Sequence, residues 1–299
     1  MNLTILYRGP LSSCNYDCHY CPFAKQHETA EELNVDRASL DRFVERVSQL
    51  TGQTISIFFT PWGEALTRRW YREAVIHLSN LAHVRRVAVQ TNLSGSLSWL
   101  DRCDVSKVGL WCTFHPSQVT RSRFVSQCRE LTRRAVRYSA GMVALKEDFA
   151  EMSLLREELP ESTYFWANAY KDESDYYSEA EVDWLESLDP LFRTNTVRHP
   201  SRGRSCRCGA SVISVDGEGT MRRCHFIREP LGSFYDESFF DKLSETPCPN
   251  ETCGCHIGYV HMDELQLYPV YGEGVLERVP AKRPPSPVVS PLSESVETV

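Results

Sequence analysis

The sequence predicts an α/β protein: six strand–helix units in a row, then a small cysteine-rich annex. Three observations carry this. Short apolar, β-branched runs alternate with segments of helical period over the first two-thirds of the chain. That regularity stops near residue 195. Nine of the twelve cysteines fall into two groups, one just after the first strand and one beyond the break. Such alternation implies a parallel sheet with right-handed crossovers, either an open doubly wound sheet or a partial barrel. In both, functional groups collect at the C-terminal ends of the strands.

The elements follow in order. Residues 3–7, LTILY, read as the first strand, and residues 36–50 as a helix with Leu40, Phe43, Val44, Val47 and Leu50 on one face. Residues 54–60, TISIFFT, have the apolar, β-branched and aromatic make-up of a buried parallel strand. A helix is expected over 66–81, with Leu66, Trp70, Ala74, Leu78 and Leu81 on its stripe. A strand at 86–92 and a short helix at 96–101 come next, then a strand at 107–114 and a helix from a Thr cap at 120–135. The last two units are a strand at 136–145 with a helix at 147–159, and a strand at 163–169 with a helix at 178–188. Pro160 and Pro190 stop those two helices.

Three segments are expected: a core over 1–195, an annex over 196–272 and a disordered tail over 273–299. In the annex, residues 210–226 read as a hairpin around a Gly-rich turn. Residues 247–259, PCPNETCGCHIGY, are too few for a core of their own and need a staple. The chain ends in the Pro/Ser-rich PAKRPPSPVVSPLSESVETV, which lacks any periodicity.

With 41% hydrophobic and 24% charged residues, the composition is that of a globular protein without a membrane span. A net charge of −7 argues against a nucleic-acid partner, and the basic stretch RHPSRGRSCR reads first as a solvated face. The start MNLTILYRGP lacks a basic n-region and a cleavage site, so a cytoplasmic location is expected. In a reducing compartment cysteines at this density are metal ligands or catalytic groups before they are disulfides. The scattered Cys103, Cys112 and Cys128 read as small buried hydrophobes.

The first group is Cys14, Cys18 and Cys21 in SSCNYDCHYCPF. Three thiolates do not close a tetrahedral structural zinc site. They do hold a [4Fe–4S] cluster while leaving one iron without a protein ligand. An open iron takes a substrate or cofactor, as open metal sites do elsewhere.

This Cys14-x3-Cys18-x2-Cys21 motif, with Tyr20 before the last cysteine, resembles the radical S-adenosylmethionine (SAM) superfamily. The resemblance implies a partial (βα)6 barrel in which SAM chelates the open iron through its amino and carboxylate groups. An electron from the cluster then splits SAM into methionine and a 5′-deoxyadenosyl radical, which abstracts hydrogen from a substrate. TPWGEAL resembles the family's GGE motif, with Gly63 and Glu64 matching and Trp62 replacing the first glycine. The implied role of Glu64 is to meet the SAM ammonium, a charge-assisted pairing. VQTNLS resembles the family's TNG strand end, with Asn92 matching and Leu93 in the glycine's place. His115, at the end of the fourth strand, is a candidate SAM contact by position, and Tyr20 packs near the cluster. For Glu64 the plainer reading is an ordinary surface or cap carboxylate, and for Asn92 and His115 a strand-end hydrogen bond.

The second group resembles the auxiliary-cluster annexes called SPASM and twitch domains. Gly219-x4-Cys224 matches their hairpin, and CPNETCGC supplies Cys248, Cys253 and Cys255 where the longer pattern has four cysteines. One auxiliary [4Fe–4S] cluster is expected, on Cys206, Cys224, Cys248 and either Cys253 or Cys255, with Cys208 the alternative to Cys206. Zinc is the rival metal, with His256 a further ligand.

The expected enzyme takes electrons from a reductant such as flavodoxin or ferredoxin and acts on a peptide or a small molecule. Fold does not set the substrate. WANAYKDESDYY, after the sixth strand, is the candidate substrate-contact segment, and the arginines of SRGRSCR could tune the annex metal. The reading of a different class is a metal-stapled binding or regulatory protein on an inactive barrel, for which Trp62 is the best support. An RNA-modifying radical enzyme fits the fold but not the acidic chain.

Overall fold

The computed structural model describes residues 2–21, 23 and 26–282. The alternation becomes six parallel strands: β1 (Asn2–Arg8), β2 (Thr54–Phe59), β3 (Val84–Thr91), β4 (Val108–Thr113), β5 (Arg137–Val143) and β6 (Tyr164–Asn168). Each pairs with the next, and β6 ends the sheet, so the array is a partial barrel and not a closed one. Helices α1 (Ala30–Gln49), α2 (Arg69–Ser79), α3 (Arg121–Arg133), α4 (Phe149–Glu158) and α5 (Glu179–Leu188) cover its outside, with a 3-10 turn at Ser98–Arg102 standing in one crossover.

Two helix starts differ from the expected ones, for local reasons. Thr29 and Glu32 form a capping box, with Glu32 N donating to Thr29 Oγ1 at 3.2 Å and Thr29 N to Glu32 Oε2 at 2.7 Å. That seeds α1 at Ala30, earlier than its apolar stripe suggests. The helix expected from Leu66 is broken, because Ala65–Thr67 is a 3-10 turn capped by Glu64, and Arg68 is extended before α2 begins.

Strand period two sorts the side chains. Ile5, Tyr7, Ile57, Phe59, Val87, Val89, Leu110 and Cys112 face out, packing on Leu40, Phe43, Leu78, Phe124 and Leu131 of the helices. Cys112 and Cys128 are wholly buried there, as their patterns imply. Leu6, Phe58, Ala88, Trp111 and Trp166 face in and meet the annex residues Ile227, Ile257 and Leu276. The barrel is therefore filled from its own C-terminal part.

That part begins with α6 (Phe192–Thr196), followed by β7 (His199–Pro200), β8 (Val212–Asp216), β9 (Thr220–Arg222), β10 (Pro230–Ser233) and β11 (Thr252–Cys253). It ends with α7 (His256–Tyr259) and α8 (Leu267–Tyr271). The hairpin β8–β9 forms, but it does not stand apart. β8 pairs in parallel with β1, Thr4 opposite Val212, so one sheet runs β10-β9-β8-β1-β2-β3-β4-β5-β6. β7 and β11 make a separate two-stranded ribbon.

The expected disordered tail needs correction over its first ten residues. Val275–Val279 pass under the barrel with Glu277 and Arg278 fully buried. Glu277 lies 3.5 Å from Arg86 and 3.6 Å from Arg137, at the lower ends of β3 and β5. Gly109 makes room for it, since a Cβ there would sit 2.8 Å from Glu277 Cδ. Arg278 reaches Asp189 at 3.3 Å and stacks over Trp166 and Trp111 at 5.1 and 5.6 Å. Buried charges survive only when paired in this way. The apolar Val275 and Leu276 were outweighed, in the sequence, by the prolines beyond them. The remainder of the tail, 283–299, lies outside the described residues. Among the described residues no helix is long and apolar enough to cross a membrane.

Candidate functional site

The loop after β1 is tied down before its first cysteine. Asp36, buried on the α1 stripe with Leu40, Phe43 and Val47, accepts from Leu11 N at 3.1 Å, Trp70 Nε1 at 2.6 Å and Tyr71 OH at 3.2 Å. Burial raises its pKa, against the pull of those hydrogen bonds. Glu28 accepts from Ser12 N at 2.5 Å and Ser13 N at 3.2 Å, and both serine hydroxyls donate to it. Arg68 then donates to Ser13 Oγ at 2.5 Å.

The GGE-like segment grips the same loop. Gly63 N donates to Leu11 O at 3.2 Å and Glu64 N to Ser13 O at 3.1 Å. A Cβ on Gly63 would lie 1.9 Å from Ser13 O, so the contact needs a glycine. Glu64 turns its carboxylate inward, 5% exposed. Its Oε1 accepts from Leu66 N at 3.1 Å and Thr91 Oγ1 at 2.8 Å, and its Oε2 from Asn92 N at 2.6 Å. Burial still lifts its pKa above the ordinary carboxylate value. The residue expected to meet a ligand ammonium thus also caps a turn and fixes the end of β3.

The strand ends point polar groups at the cysteine sulfurs. Asn92 Nδ2 is 3.7 Å from Cys14 Sγ and donates to Asn15 Oδ1 at 3.0 Å, while Tyr16 N donates to Cys14 Sγ at 3.4 Å. His115 Nδ1 is 3.2 Å from Cys18 Sγ and 2.7 Å from Tyr20 OH, and its ring stacks on Tyr20 at 6.0 Å. Burial lowers the His115 pKa to about 4, so its imidazole is neutral. Cys18 is buried, and Cys14 and Cys21 are partly exposed. Cys14, Cys18, Cys21, Tyr20, Asn92 and His115, spread over the sequence, therefore meet at one strand-end face. Donors aimed at sulfur suit thiolates that carry cluster charge. Leu93, in the glycine position of the TNG-like run, takes φ of 56° and is 3% exposed.

Trp62, the departure from the motif, stands beside this loop. Its ring packs on Phe23 at 4.4 Å and under the Arg8 guanidinium at 4.0 Å.

In the annex Cys206, Cys208, Cys224, Cys248 and Cys253 line one small cavity with Arg223. Cys255 does not. Of the pairs left open by spacing, Cys253 faces the cavity where Cys255 turns away, while Cys206 and Cys208 both face it. Cys208, in hydrogen-bonding contact with Cys206 and Cys224, holds their thiol pKa values down, that of Cys206 at about 7. Burial pushes Cys253 up to about 12. Arg223 clamps the opposite rim, donating to Thr246 O at 2.5 Å and Pro247 O at 2.8 Å just before Cys248. A Cβ on Gly258 would come 2.7 Å from Cys253 Sγ, so backbone and sulfur meet closely there. Five soft sulfur donors around an enclosed space fit an iron–sulfur cluster or zinc. Among the described residues no three His, Cys, Asp or Glu side chains are already gathered as around a single ion. His256, the further zinc candidate, is instead buried against Trp111, Tyr259 and Tyr271.

The segment 166–177 divides in two. Tyr177 OH donates to Ala144 O at 2.7 Å and accepts from Tyr170 N at 2.8 Å, and Tyr176 OH accepts from Lys146 N at 3.0 Å, so two tyrosines tie loops together. Lys171 instead spans to the annex, donating to Gly254 O at 2.5 Å.

Sequence reasoning missed Glu28, Asp36, Arg68, Arg223 and His225, which bonds Thr60 Oγ1 at the end of β2 at 3.0 Å. Only Asp36 left a signal, a carboxylate on the 36-40-43-47 stripe of α1.

No protein-family model matches the chain, and no curated protein matches it. Solved structures do. Native anSMEcpe with bound AdoMet is 16% identical, with a TM-score of 0.53 over 82% of this chain and 81% of that one. A hexahistidine-tagged form with AdoMet is 14% identical, with a TM-score of 0.54 over 87% and 81%. A third, with AdoMet and the Kp18Cys peptide, is 14% identical, with a TM-score of 0.50 over 81% and 80%. At these identities the likeness is one of fold: a mixed α/β chain on a parallel, partial-barrel sheet.

Proposed function

We propose that this chain is a radical SAM enzyme. Cys14, Cys18 and Cys21 would hold a [4Fe–4S] cluster that, when bound, supplies the electron splitting SAM into methionine and a 5′-deoxyadenosyl radical. The observation that carries this reading is the convergence of Asn92 on Cys14 and His115 on Cys18 at the C-terminal strand face. Asp36, Glu28, Gly63 and Glu64 fix the loop's path, and Tyr20 and His115 set the wall beside Cys18. Neutral His115 leaves no extra positive charge at the sulfur.

In the annex Cys206, Cys224, Cys248 and Cys253 would hold a second [4Fe–4S] cluster, with Cys208 their buried neighbour. A low-potential reductant of the flavodoxin or ferredoxin type supplies electrons in the cytoplasm. A peptide or protein side chain is the first substrate class to try, since a similar fold holds a peptide beside AdoMet; small molecules come second. Anaerobically reconstituted protein with SAM and dithionite should form 5′-deoxyadenosine, read by mass spectrometry, and Cys18→Ala should form none. Protein loaded with iron and sulfide that neither cleaves nor binds SAM would overturn the reading.

A further inference from the structure

The two sulfur sites are joined by a short path of bonds. The turn after β9 begins at Cys224, on the wall of the annex cavity, and closes with Ile227 N donating to Cys224 O at 3.4 Å. Cys224 and Ile227 pack in one apolar cluster with Leu6 of β1 and Phe58 of β2. Between them in the chain, His225 Nε2 bonds Thr60 Oγ1 at 3.0 Å. Among the described residues this is the one hydrogen bond between the 224–227 turn and segment 60–64.

Thr60 is a node at the ends of β1 and β2, and it is 1% exposed. Its N donates to Tyr7 O at 3.0 Å, and its carbonyl accepts from Arg8 Nε at 2.8 Å. The Arg8 guanidinium also lies over the Trp62 ring at 4.0 Å. Further along the same segment, Glu64 N donates to Ser13 O at 3.1 Å, and Cys14 is the next residue. From Cys224 to Cys14 the path therefore contains two hydrogen bonds, His225–Thr60 and Glu64–Ser13, and is otherwise covalent. A buried hydroxyl that loses its partner is costly, so segment 60–64 is bound to follow the histidine.

We infer that His225 is a positioning residue that couples the annex metal to SAM binding. Metal on Cys224 holds the turn, His225 holds Thr60, and Thr60 sets the segment that grips the first cysteine loop. This rests on the radical SAM reading in naming the ligand of that loop. Coupling between two sites is reciprocal, so bound SAM must favour retention of the annex metal by the same factor.

The test uses the reconstituted holoenzyme and two readouts: hydrogen exchange at the Gly63 and Glu64 amides, and SAM affinity by equilibrium dialysis. His225→Phe should speed that exchange and weaken SAM binding by about tenfold, within the usual range of coupling between sites. Thr60→Val, on the barrel side of the same bond, should do the same, and the double variant should be no worse than either. His225→Gln, whose amide reaches about as far as the imidazole Nε2, should restore both readouts. Cys224→Ala, which removes an annex ligand, should weaken SAM binding by the same factor, and adding His225→Phe to it should change nothing more. Saturating SAM should slow loss of the annex metal to a chelator in the parent and not in His225→Phe. Unmoved Gly63 and Glu64 amides in both His225→Phe and Thr60→Val overturn the proposal. So do effects of Cys224→Ala and His225→Phe that add in full, because the two would then act by separate routes. The exchange arm needs no SAM, so a parent that fails to bind SAM sinks the enzyme reading while the amides still decide the role of His225.

Discussion

The barrel and the cysteine-rich part of the annex keep their shape by different means. The barrel buries a continuous apolar core between strands and helices, from Leu3 through Leu188. The annex around the cysteines has two strands of two residues, a helix of four, an apolar cluster of six residues built on Tyr259, Val260 and Met262, and, besides cysteines, only Ile227 and Ile257 reaching into the barrel interior. So few buried groups do not outweigh chain entropy alone. Between them, β8 and β9 carry annex sequence but place Ile213, Val215 and Met221 in the barrel core, together with Phe234 and Phe239. We therefore expect the stability boundary to run inside the annex, between the hairpin and the cysteine turns, rather than at residue 195.

Metal loss is the strongest way to break this comparison. A structural metal supplies about 10 kcal/mol to a small domain that folds around it. If the annex cysteines hold a metal as proposed, Cys224→Ala, or chelation, should abolish hydrogen-exchange protection in β7, β11 and α7. Strands β1–β6 and β8 should keep theirs, because their ladders are continuous. Annex turns that stay protected without metal would mean that the small Tyr259 cluster suffices. Loss of β8 together with the turns would return the boundary to residue 195.

A smaller effect separates positioning from stability. Gly63→Ala puts a methyl into Ser13 O, a backbone atom that can give way only if the loop moves with it. The cysteine loop must shift, and a misplacement near 1 Å costs about 100-fold in rate. Formation of 5′-deoxyadenosine should fall by about that factor while the urea midpoint of the barrel barely moves. In the annex, Gly258→Ala meets a cysteine sulfur at 2.7 Å and should act on metal retention instead. Equal rates for Gly63→Ala and the parent would show that the close approach is not needed.

How much of this was legible in the sequence follows the range of the forces involved. Local periodicity specifies the six strands and their helices, and cysteine spacing specifies the two sulfur groups. The parallel pairing of β8 with β1 joins Thr4 to Val212, and no local signal announces a contact at that separation. Glu28 and Arg223 were hidden for the same reason, since their partners lie beyond the turn each sits in. The burial of Glu277 and Arg278 was obscured because two charges beside a proline-rich stretch read as solvated until Arg86, Arg137 and Asp189 are in place.

The finest test concerns Leu93, where the motif's glycine and the barrel's packing disagree. At φ of 56° a leucine carries left-handed strain of about 1–2 kcal/mol, which glycine would relieve. Yet Leu93 is buried in the apolar core, and deleting such a side chain costs about 2–5 kcal/mol. Glycine also enlarges the freedom of the unfolded chain, a further loss of about 0.5–1 kcal/mol. Packing wins by these magnitudes, so Leu93→Gly should lower stability by about 2 kcal/mol, read as a lower urea midpoint with unchanged slope. Leu93→Asn, which tolerates the left-handed turn but loses the apolar contact, should fall by a similar amount. A Leu93→Gly variant more stable than the parent would show that backbone strain, and not packing, dominates at the end of β3.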